Sequence, residues 1–189
     1  WLNRGKESVV LDFKKQDDAD LLWRMIKKAD VFIQNLSPGA TDRAGFGSSL
    51  LRKINPTLIT CDISGYGSSG LYRDLKAYDF LVQCESGVAS VTGSVDSPAR
   101  VGVSLCDLTA GLNAHGAILE ALIARSKSGK CEGISISLFD GMADWMNVAR
   151  FHQLKRGSSP LRMGLSHSLI APYGAYQVGD GNTIVIAIQ

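Results

Sequence analysis

Apolar positions along this chain fall into short runs and helical stripes that alternate through its first third. Residues 8–13, Ser-Val-Val-Leu-Asp-Phe, form an apolar run that predicts a strand. Over 17–29, Leu21, Leu22, Met25, Ile26 and Ala29 recur at helical spacing. Asp17 and Asp18 suit the first turn of that helix, and Lys27 and Lys28 its last, as the helix dipole favours. Val31, Phe32 and Ile33 predict a second, buried strand, broken by Asn35-Leu36-Ser37-Pro38-Gly39. Ser37 and Pro38 suit the N-cap and first turn of a short helix. Residues 48–54 predict another helix, stopped by Asn55-Pro56, and 58–63 a third strand. Strands joined by helices pair in parallel, so 8–13, 31–34 and 58–63 are expected to be neighbours in half of a doubly wound, Rossmann-like α/β sheet. Ligands of such sheets bind beyond the carboxyl ends of the strands, where Gly65-Tyr66-Gly67-Ser68-Ser69-Gly70 forms a flexible loop.

The middle of the chain is helical. Residues 79–89 predict one helix and 105–126 a long one, ended by Ser128-Gly129. Ile134, Ile136 and Leu138 alternate with Ser135 and Ser137, a half-buried strand over 133–139. Residues 140–154 predict a further helix, and 171–189 two strands about the turn Gly179-Asp180-Gly181-Asn182. The fold class is therefore α/β: an incomplete doubly wound parallel sheet with a helical middle.

Composition narrows the function little. The 20 basic and 18 acidic residues leave a net charge of +2, which calls for neither nucleic acid nor a membrane surface. Cys61, Cys84, Cys106 and Cys131 form no C-x-x-C pair and have no His at zinc-ligand spacing. Each lies in or beside an apolar run, so buried free thiols in a reducing, cytoplasmic compartment are expected. The chain opens on Trp1 and stops in the apolar run 183–188, the look of a segment cut from a longer protein; a mitochondrial or peroxisomal address therefore stays open. No Ser-His-Asp order, P-loop or metal cluster appears, and Gly65-x-Gly67 is too short for a dinucleotide fingerprint.

One residue stands out. Asp107 lies near the start of the long helix, followed by a stripe of small residues: Ala110, Gly111, Ala114, Ala117 and Ala121. Small residues let a helix approach a neighbouring backbone, and the other side, with Leu105, Leu108, Leu112, Leu119 and Leu122, is expected to fill a core. Two readings stay open for Asp107. It could cap the helix, although Ser104 is an alternative cap and Ala110 completes no capping box. Or it could be a nucleophile kept ionised by the helix start. Among the histidines, His115 reads as a packing residue, His152 as a helix-surface residue, and His167 as a loop residue that could meet substrate.

An ordered set of segments resembles the class III CoA-transferases, a superfamily that includes formyl-CoA and carnitine CoA-transferases and α-methylacyl-CoA racemase. Asn3-Arg4-Gly5-Lys6 with Val10-Leu11-Asp12-Phe13-Lys14 is similar to the family's N-R-x-K…L-D-x-K. Val31 to Asn35, Ser37-Pro38-Gly39 and Asp42-Arg43-Ala44-Gly45 resemble its next motif, and Asn55-Pro56-Thr57-Leu58-Ile59 with Ile63-Ser64-Gly65-Tyr66-Gly67 the strand and loop that follow. Lys76-Ala77-Tyr78-Asp79, Gln83, Ser86-Gly87 and Thr92-Gly93 come in order, and Asp107-Leu108-Thr109-Ala110-Gly111 falls where the family keeps its catalytic aspartate. The resemblance covers nearly the whole chain, and it is the ordered set, not any one piece, that is specific.

That resemblance implies an enzyme moving CoA from an acyl-CoA donor to a small carboxylic acid, with Asp107 as nucleophile through an aspartyl anhydride and an aspartyl-CoA thioester. It implies CoA contacts from Leu11, Asp12, Phe13, Lys14, Asn35, Leu36, Ser37, Arg43, Lys76, Ala77, Tyr78 and Asp79. Arg43 and Lys76 suit the phosphates of CoA, and Gly164 and His167 fall in the loop expected over the site, which carries one glycine where some relatives have a run. No permanently bound cofactor or metal is implied; CoA is a substrate. The resemblance further implies a large CoA-binding portion, 1–160, followed by a linker and first hairpin of a small domain, 161–189, and an interlocked homodimer for the full-length protein. The Ile170-Ala171-Pro172-Tyr173-Gly174 region resembles relatives acting on dicarboxylates such as succinate or mesaconate. Two alternatives remain: a racemase, and a CoA-binding fragment without turnover. The racemases have His where this chain has Tyr78, and a phenol with a reference pKa near ~10 is a poor partner for proton exchange at neutral pH.

Overall fold

In a computed structural model the described residues are 1–188, and they form two compact units. The first comprises Trp1–Ser64 and Ala114–Ser135, the second Gly65–Asn113 and Ile136–Gln189.

The first unit is the expected α/β half. Helix α1 spans Gln16–Ile26, with Asp17 and Asp18 in its first turn. Strand β1 is Val31–Gln34, α2 is Ala40–Arg43, α3 is Ser48–Ile54 and β2 is Ile59–Ser64. β1 and β2 pair in parallel, with Val31 opposite Ile59 and Gln34 opposite Asp62. Strand β5, Gly133–Ser137, takes the other side of β2, giving the order β1-β2-β5. Ile26, Phe46, Leu51 and Leu58 form the core, with Leu22, Trp23 and Phe32 packed against it. Their burial drives this half together, at about 1.5–3 kcal/mol for each large aliphatic or aromatic side chain.

Two expectations fail here. Residues 8–13 form no strand, and Val9 and Val10 are exposed. The backbone there is taken up by local turn chemistry: Asp12 N–H donates to Asp18 Oδ2 at 2.8 Å, and the Asp12 carbonyl accepts from Lys15 N–H at 2.8 Å. An apolar run specifies a wish for burial but no strand partner, and without a ladder an extended segment has nothing to pair with. Ser37 does not cap α2; Gly39 does, at φ +71°, a left-handed conformation that only glycine adopts without strain.

In the second unit, α4 spans Asp79–Glu85 and α5 spans Val88–Val91. The expected single helix over 79–89 breaks at Gly87, whose φ of +87° ends one helical path and starts another. A short ladder pairs β3, Gly93–Ser94, with β4, Ser97–Pro98. Helix α6, Leu105–Ser128, is the long helix; its residues to Asn113 belong to this unit and those from Ala114 to the other. Helices α7, Leu138–Trp145, and α8, Asn147–Arg156, replace the one expected over 140–154. Ser137 caps α7, accepting from Asp140 N–H. Strands β6, Tyr173–Gln177, and β7, Thr183–Ala187, form the expected antiparallel hairpin; Gln189, the last residue of that expectation, lies outside the described residues. The core joins Val82, Val88, Cys106 and Met142.

On α6 the small-residue side packs as expected, but the leucine side fills a core only at Leu105. Ala110 and Ala114 are buried, while Leu108, Leu112 and Leu119 are 56%, 69% and 47% exposed. The small-residue stripe is the packed one because it admits close approach. At Gly141 of α7 an added Cβ would lie 3.1 Å from Thr109 Cγ2 and 3.3 Å from Asn113 Nδ2, so these α6 side chains rest directly on the α7 backbone. No helix among the described residues is long and apolar enough to cross a membrane.

Candidate active site

Helix α6 begins at Leu105, so Asp107 is its third residue and not its cap. The capping work is done from another helix. Asp79, the first residue of α4, accepts a hydrogen bond from Cys106 N–H through Oδ1 at 2.8 Å, satisfying one of the free donors at the start of α6. Its other oxygen, Oδ2, accepts from Gln83 Nε2 at 2.8 Å, and Gln83 Oε1 in turn accepts from Val101 N–H at 2.8 Å. Gln83 is fully buried and its amide is engaged at both ends, as a buried polar group requires. This clamp of α4, residue 101 and the head of α6 was not foreseen. The Asp79–Gln83 spacing of four residues puts both on one face of a helix, a legible hint; their partners 18 and 27 residues further on are not.

Asp107 itself is exposed and has no hydrogen-bond partner among the described residues. Its carboxyl is nevertheless held above the usual carboxylate range, first by partial burial and then by the negative charge of Asp79. Burial and the Asp79 charge therefore act against the preference for the ionised form that a helix start provides. A carboxylate with a raised pKa is more basic, and so a better nucleophile. Cys106, next to it, is pushed up to about 12 by burial and then by Asp79, so its thiol is inert.

The other expected residues divide between the units. Leu11, Asp12, Phe13, Lys14, Asn35, Leu36, Ser37 and Arg43 lie in the first; Lys76, Ala77, Tyr78, Asp79, Asp107, Gly164 and His167 lie in the second. Phe13 rests against Phe46 with ring centroids 5.7 Å apart. The 35–37 loop is anchored from beneath. Leu36 N–H donates to Gln34 Oε1 at 2.8 Å, and Gln34 Nε2 donates to Asp62 Oδ1 at 2.7 Å, an oxygen that also accepts from Ser48 Oγ at 2.8 Å. Asp62 thus ties β2, the end of β1 and the start of α3 at the carboxyl ends of the strands. Arg43 is exposed, with one contact to the Pro38 carbonyl at 3.3 Å, and Lys76 is exposed. Neither has a carboxylate partner among the described residues.

In the second unit, Tyr78 precedes α4 with extended backbone and is 70% exposed. Gly164 sits at φ +59° and donates its N–H to the Gly93 carbonyl at 2.9 Å. His167 Nδ1 accepts from Leu169 and Ile170 N–H, both at 3.0 Å, so the neutral ring carries its proton on Nε2, and it leans on Tyr173 at 5.1 Å. His115 is exposed, not packed, because it shares the open face of α6 with Leu108 and Leu112; His152 is half-buried, with Nδ1 3.2 Å from the Ser158 carbonyl. Cys61 and Cys106 are buried as expected, but Cys84 is exposed and Cys131 half-buried. Cys84 lies on the outer face of α4, where the neighbouring apolar residues Phe80 and Leu81 are exposed too.

A parallel sheet with helical crossovers, and an accessible acid carboxylate on the first turn of a long helix clamped from its neighbour, define an α/β protein with a candidate carboxylate nucleophile. The chain belongs to CoA-transferase family III, whose sequence model matches residues 1–189. It is 41% identical over 182 residues to an acetyl-CoA:oxalate CoA-transferase of Acetobacter aceti, covering 95% of this chain and 47% of that protein. It is 36% identical over 184 residues to a succinate–glutarate CoA-transferase of Agrobacterium fabrum, covering 97% of this chain and 46% of that one. A CAIB/BAIF family protein from Brucella suis has a similar crystal structure, with a TM-score of 0.89 and 39% identity over 98% of this chain and 49% of that one. The chain thus spans about half the length of the curated relatives it matches.

Proposed function

We propose that the full-length protein transfers CoA between an acyl-CoA and a small carboxylic acid, with Asp107 as the covalent nucleophile. The observation that carries this reading is the division of labour at the head of α6. Asp79 meets the Cys106 N–H, and Asp107 is left exposed and unengaged. That removes the capping explanation for Asp107 and leaves a carboxylate available to substrate.

The Asp107 carboxylate attacks the thioester carbonyl of the donor, the C–S bond breaks, and CoA leaves as thiolate. The product is a mixed anhydride of Asp107 and the donor acid. The thiolate attacks the aspartyl carbonyl, releasing the donor carboxylate and forming an aspartyl-CoA thioester. The acceptor carboxylate attacks that carbonyl and expels the thiolate. Thiolate attack on the acceptor's acyl carbon then yields the new acyl-CoA and restores Asp107. Both intermediates are activated acyl groups, so no step needs an external energy source. No proton moves, which fits an active site whose nearest thiol, Cys106, stays protonated.

The CoA contacts are read onto the residues carried by the family motifs, Leu11 to Lys14, Asn35 to Ser37, Arg43 and Lys76 to Asp79. Arg43 and Lys76 lack competing carboxylates among the described residues, which suits phosphate binding. Gly164 and His167 are read as part of the substrate loop, and an oxalate- or glutarate-sized acid as acceptor, from the relatives' activities. A reducing, cytoplasmic setting, a large domain to residue 160 with a small one beginning after it, and an interlocked homodimer complete the reading. Tyr78 weighs against racemisation: it stands where the racemases have His, and a phenol, with a reference pKa near ~10, is a poorer partner than imidazole for proton exchange at neutral pH.

The test is trapping. Full-length enzyme incubated with acyl-CoA and then hydroxylamine should carry a hydroxamate on the peptide containing Asp107. Asp107→Asn should fold, carry no adduct and lose transfer by about 10³-fold or more, since an amide is a poor nucleophile. Near-normal turnover in Asp107→Asn would refute covalent catalysis there.

A further inference from the structure

Within this reading of Asp107, we propose that Gln83 is a positioning residue for the reaction: it orients the Asp79 carboxylate so that the first turn of α6, and with it Asp107, is held in one place. Three hydrogen bonds in series carry the idea. Val101 N–H donates to Gln83 Oε1, Gln83 Nε2 donates to Asp79 Oδ2, and Cys106 N–H donates to Asp79 Oδ1, each at 2.8 Å.

Each group in the series has one polarity. Val101 N–H and Cys106 N–H can only donate, and a carboxylate can only accept. The amide of Gln83 is the one side chain in the series that does both, so it converts a backbone donor into a second donor aimed at Asp79. Gln83 is fully buried, so no water replaces it if it turns. An Asp79 carboxylate held through one oxygen only is free to rotate, and the Cys106 N–H loses a fixed partner. Asp107 follows Cys106 directly and has no hydrogen bond of its own among the described residues, so its position is inherited from that backbone. Nucleophilic attack needs reacting atoms about 3–3.5 Å apart and aligned, and a misplacement of about 1 Å costs about 100-fold in rate. A residue that touches neither substrate nor Asp107 thereby governs the chemical step.

The series can be reversed without being broken, by exchanging the amide and the carboxylate between the two positions. After Asp79→Asn and Gln83→Glu together, the amide carbonyl now at position 79 would accept from Cys106 N–H. The amide nitrogen at that position would donate to the carboxylate now at position 83, and that carboxylate would accept from Val101 N–H. The experiment compares full-length wild type, Asp79→Asn, Gln83→Glu and the double variant. Each single change sets like against like at the 79–83 contact, donor facing donor or carboxylate facing carboxylate. Each single variant is expected to lower kcat by about 10- to 100-fold, and Gln83→Glu, at a residue read into no CoA contact, to keep KM for acyl-CoA within about threefold of wild type. The double variant is expected to exceed the slower single variant in kcat by at least about threefold, a rescue that two independent losses would not give.

A double variant no faster than the slower single one overturns the proposal, as do single variants with wild-type kcat. Should the single variants fold poorly, the hydrogen-exchange protection of the Cys106 amide decides. The proposal requires it to be high in wild type, and restored in the well-folded double variant; a Cys106 amide that exchanges freely in wild type overturns it. Hydroxylamine mapping separates the two levels. An adduct on Asp107 with kcat indifferent to residue 83 rejects the positioning role alone; an adduct elsewhere in wild type rejects the reading of Asp107 and the role that rests on it.

Discussion

At Asp107 the environment works against the charge that the proposed chemistry needs. Burial and the Asp79 carboxylate raise its pKa, and the titratable groups facing it are Asp79, from α4, and its own helix neighbour Cys106. The sign follows directly. A carboxyl whose folded pKa exceeds its unfolded value binds its proton more tightly when folded, so its ionisation removes stability as pH rises through that interval. Asp107→Asn is therefore expected to raise the melting temperature at neutral pH, with the gain disappearing below the ordinary carboxylate range near ~4. The same shift places the acid limb of wild-type kcat/KM above an ordinary carboxylate's, since only the ionised form attacks. Melting curves and rate profiles across pH 3 to 8 check both; an Asp107→Asn protein that melts lower than wild type at pH 7 contradicts this account. A loss of stability at Asp107 is what the proposed nucleophile, held beside a second carboxylate, should show.

At the scale of elements, periodicity located helices better than it located their faces or their partners. The 3.6-residue stripe in 17–29 and the run around Leu58 became α1 and β2 because each carries enough apolar area to need a core. The run at 8–13 has the same local character and no ladder, so what decided its fate was absent from its own residues. In α6 the alanines pack as their size suggests, but Leu108, Leu112 and Leu119 stay exposed, because an apolar stripe does not itself say what covers it. Asp107 stands out as a candidate in the ordered motifs, and the Asp79–Gln83 spacing of four is readable, whereas their partners Val101 and Cys106 are not, since hydrogen bonds between distant segments leave no spacing to read. The same holds for Asp62, which accepts from Gln34 and Ser48 at the top of the sheet. Asp62→Ala leaves a part-buried amide and hydroxyl without their acceptor and should lower stability by about 1–3 kcal/mol. Asp62→Asn keeps an acceptor oxygen and should lose less than half of that. Urea unfolding of the two variants separates the lost bonds from the lost charge, and equal losses would show that the charge, not the bonding, matters.

At the scale of the whole molecule, the proposed CoA contacts are tested by ligand binding, residue by residue. Arg43 and the 35–37 loop, anchored through Gln34 on Asp62, belong to the first unit; Lys76, Ala77, Tyr78 and the clamped Asp79 belong to the second. CoA carries a pyrophosphate and a 3′-phosphate, and a guanidinium grips phosphate through two parallel hydrogen bonds while an ammonium acts as a point charge. Both side chains are exposed, and neither has a carboxylate among the described residues to be taken from. No existing ion pair must break before either engages a phosphate. A hydrogen bond to a charged group contributes about 1.5–3 kcal/mol, or about 10- to 100-fold in Kd. Arg43→Ala and Lys76→Ala in the full-length protein are each expected to weaken CoA by that factor and to flatten its dependence on salt, because exposed charge contacts are screened. Arg43→Lys should recover only part of the loss, keeping the charge but not the two-pronged geometry, whereas Lys76→Arg should recover most of it. Titration calorimetry at two ionic strengths reads all of these. A double Arg43→Ala, Lys76→Ala variant that binds CoA as wild type does would remove both residues from the CoA site, while leaving the assignment of Asp107, which rests on trapping, where it stands.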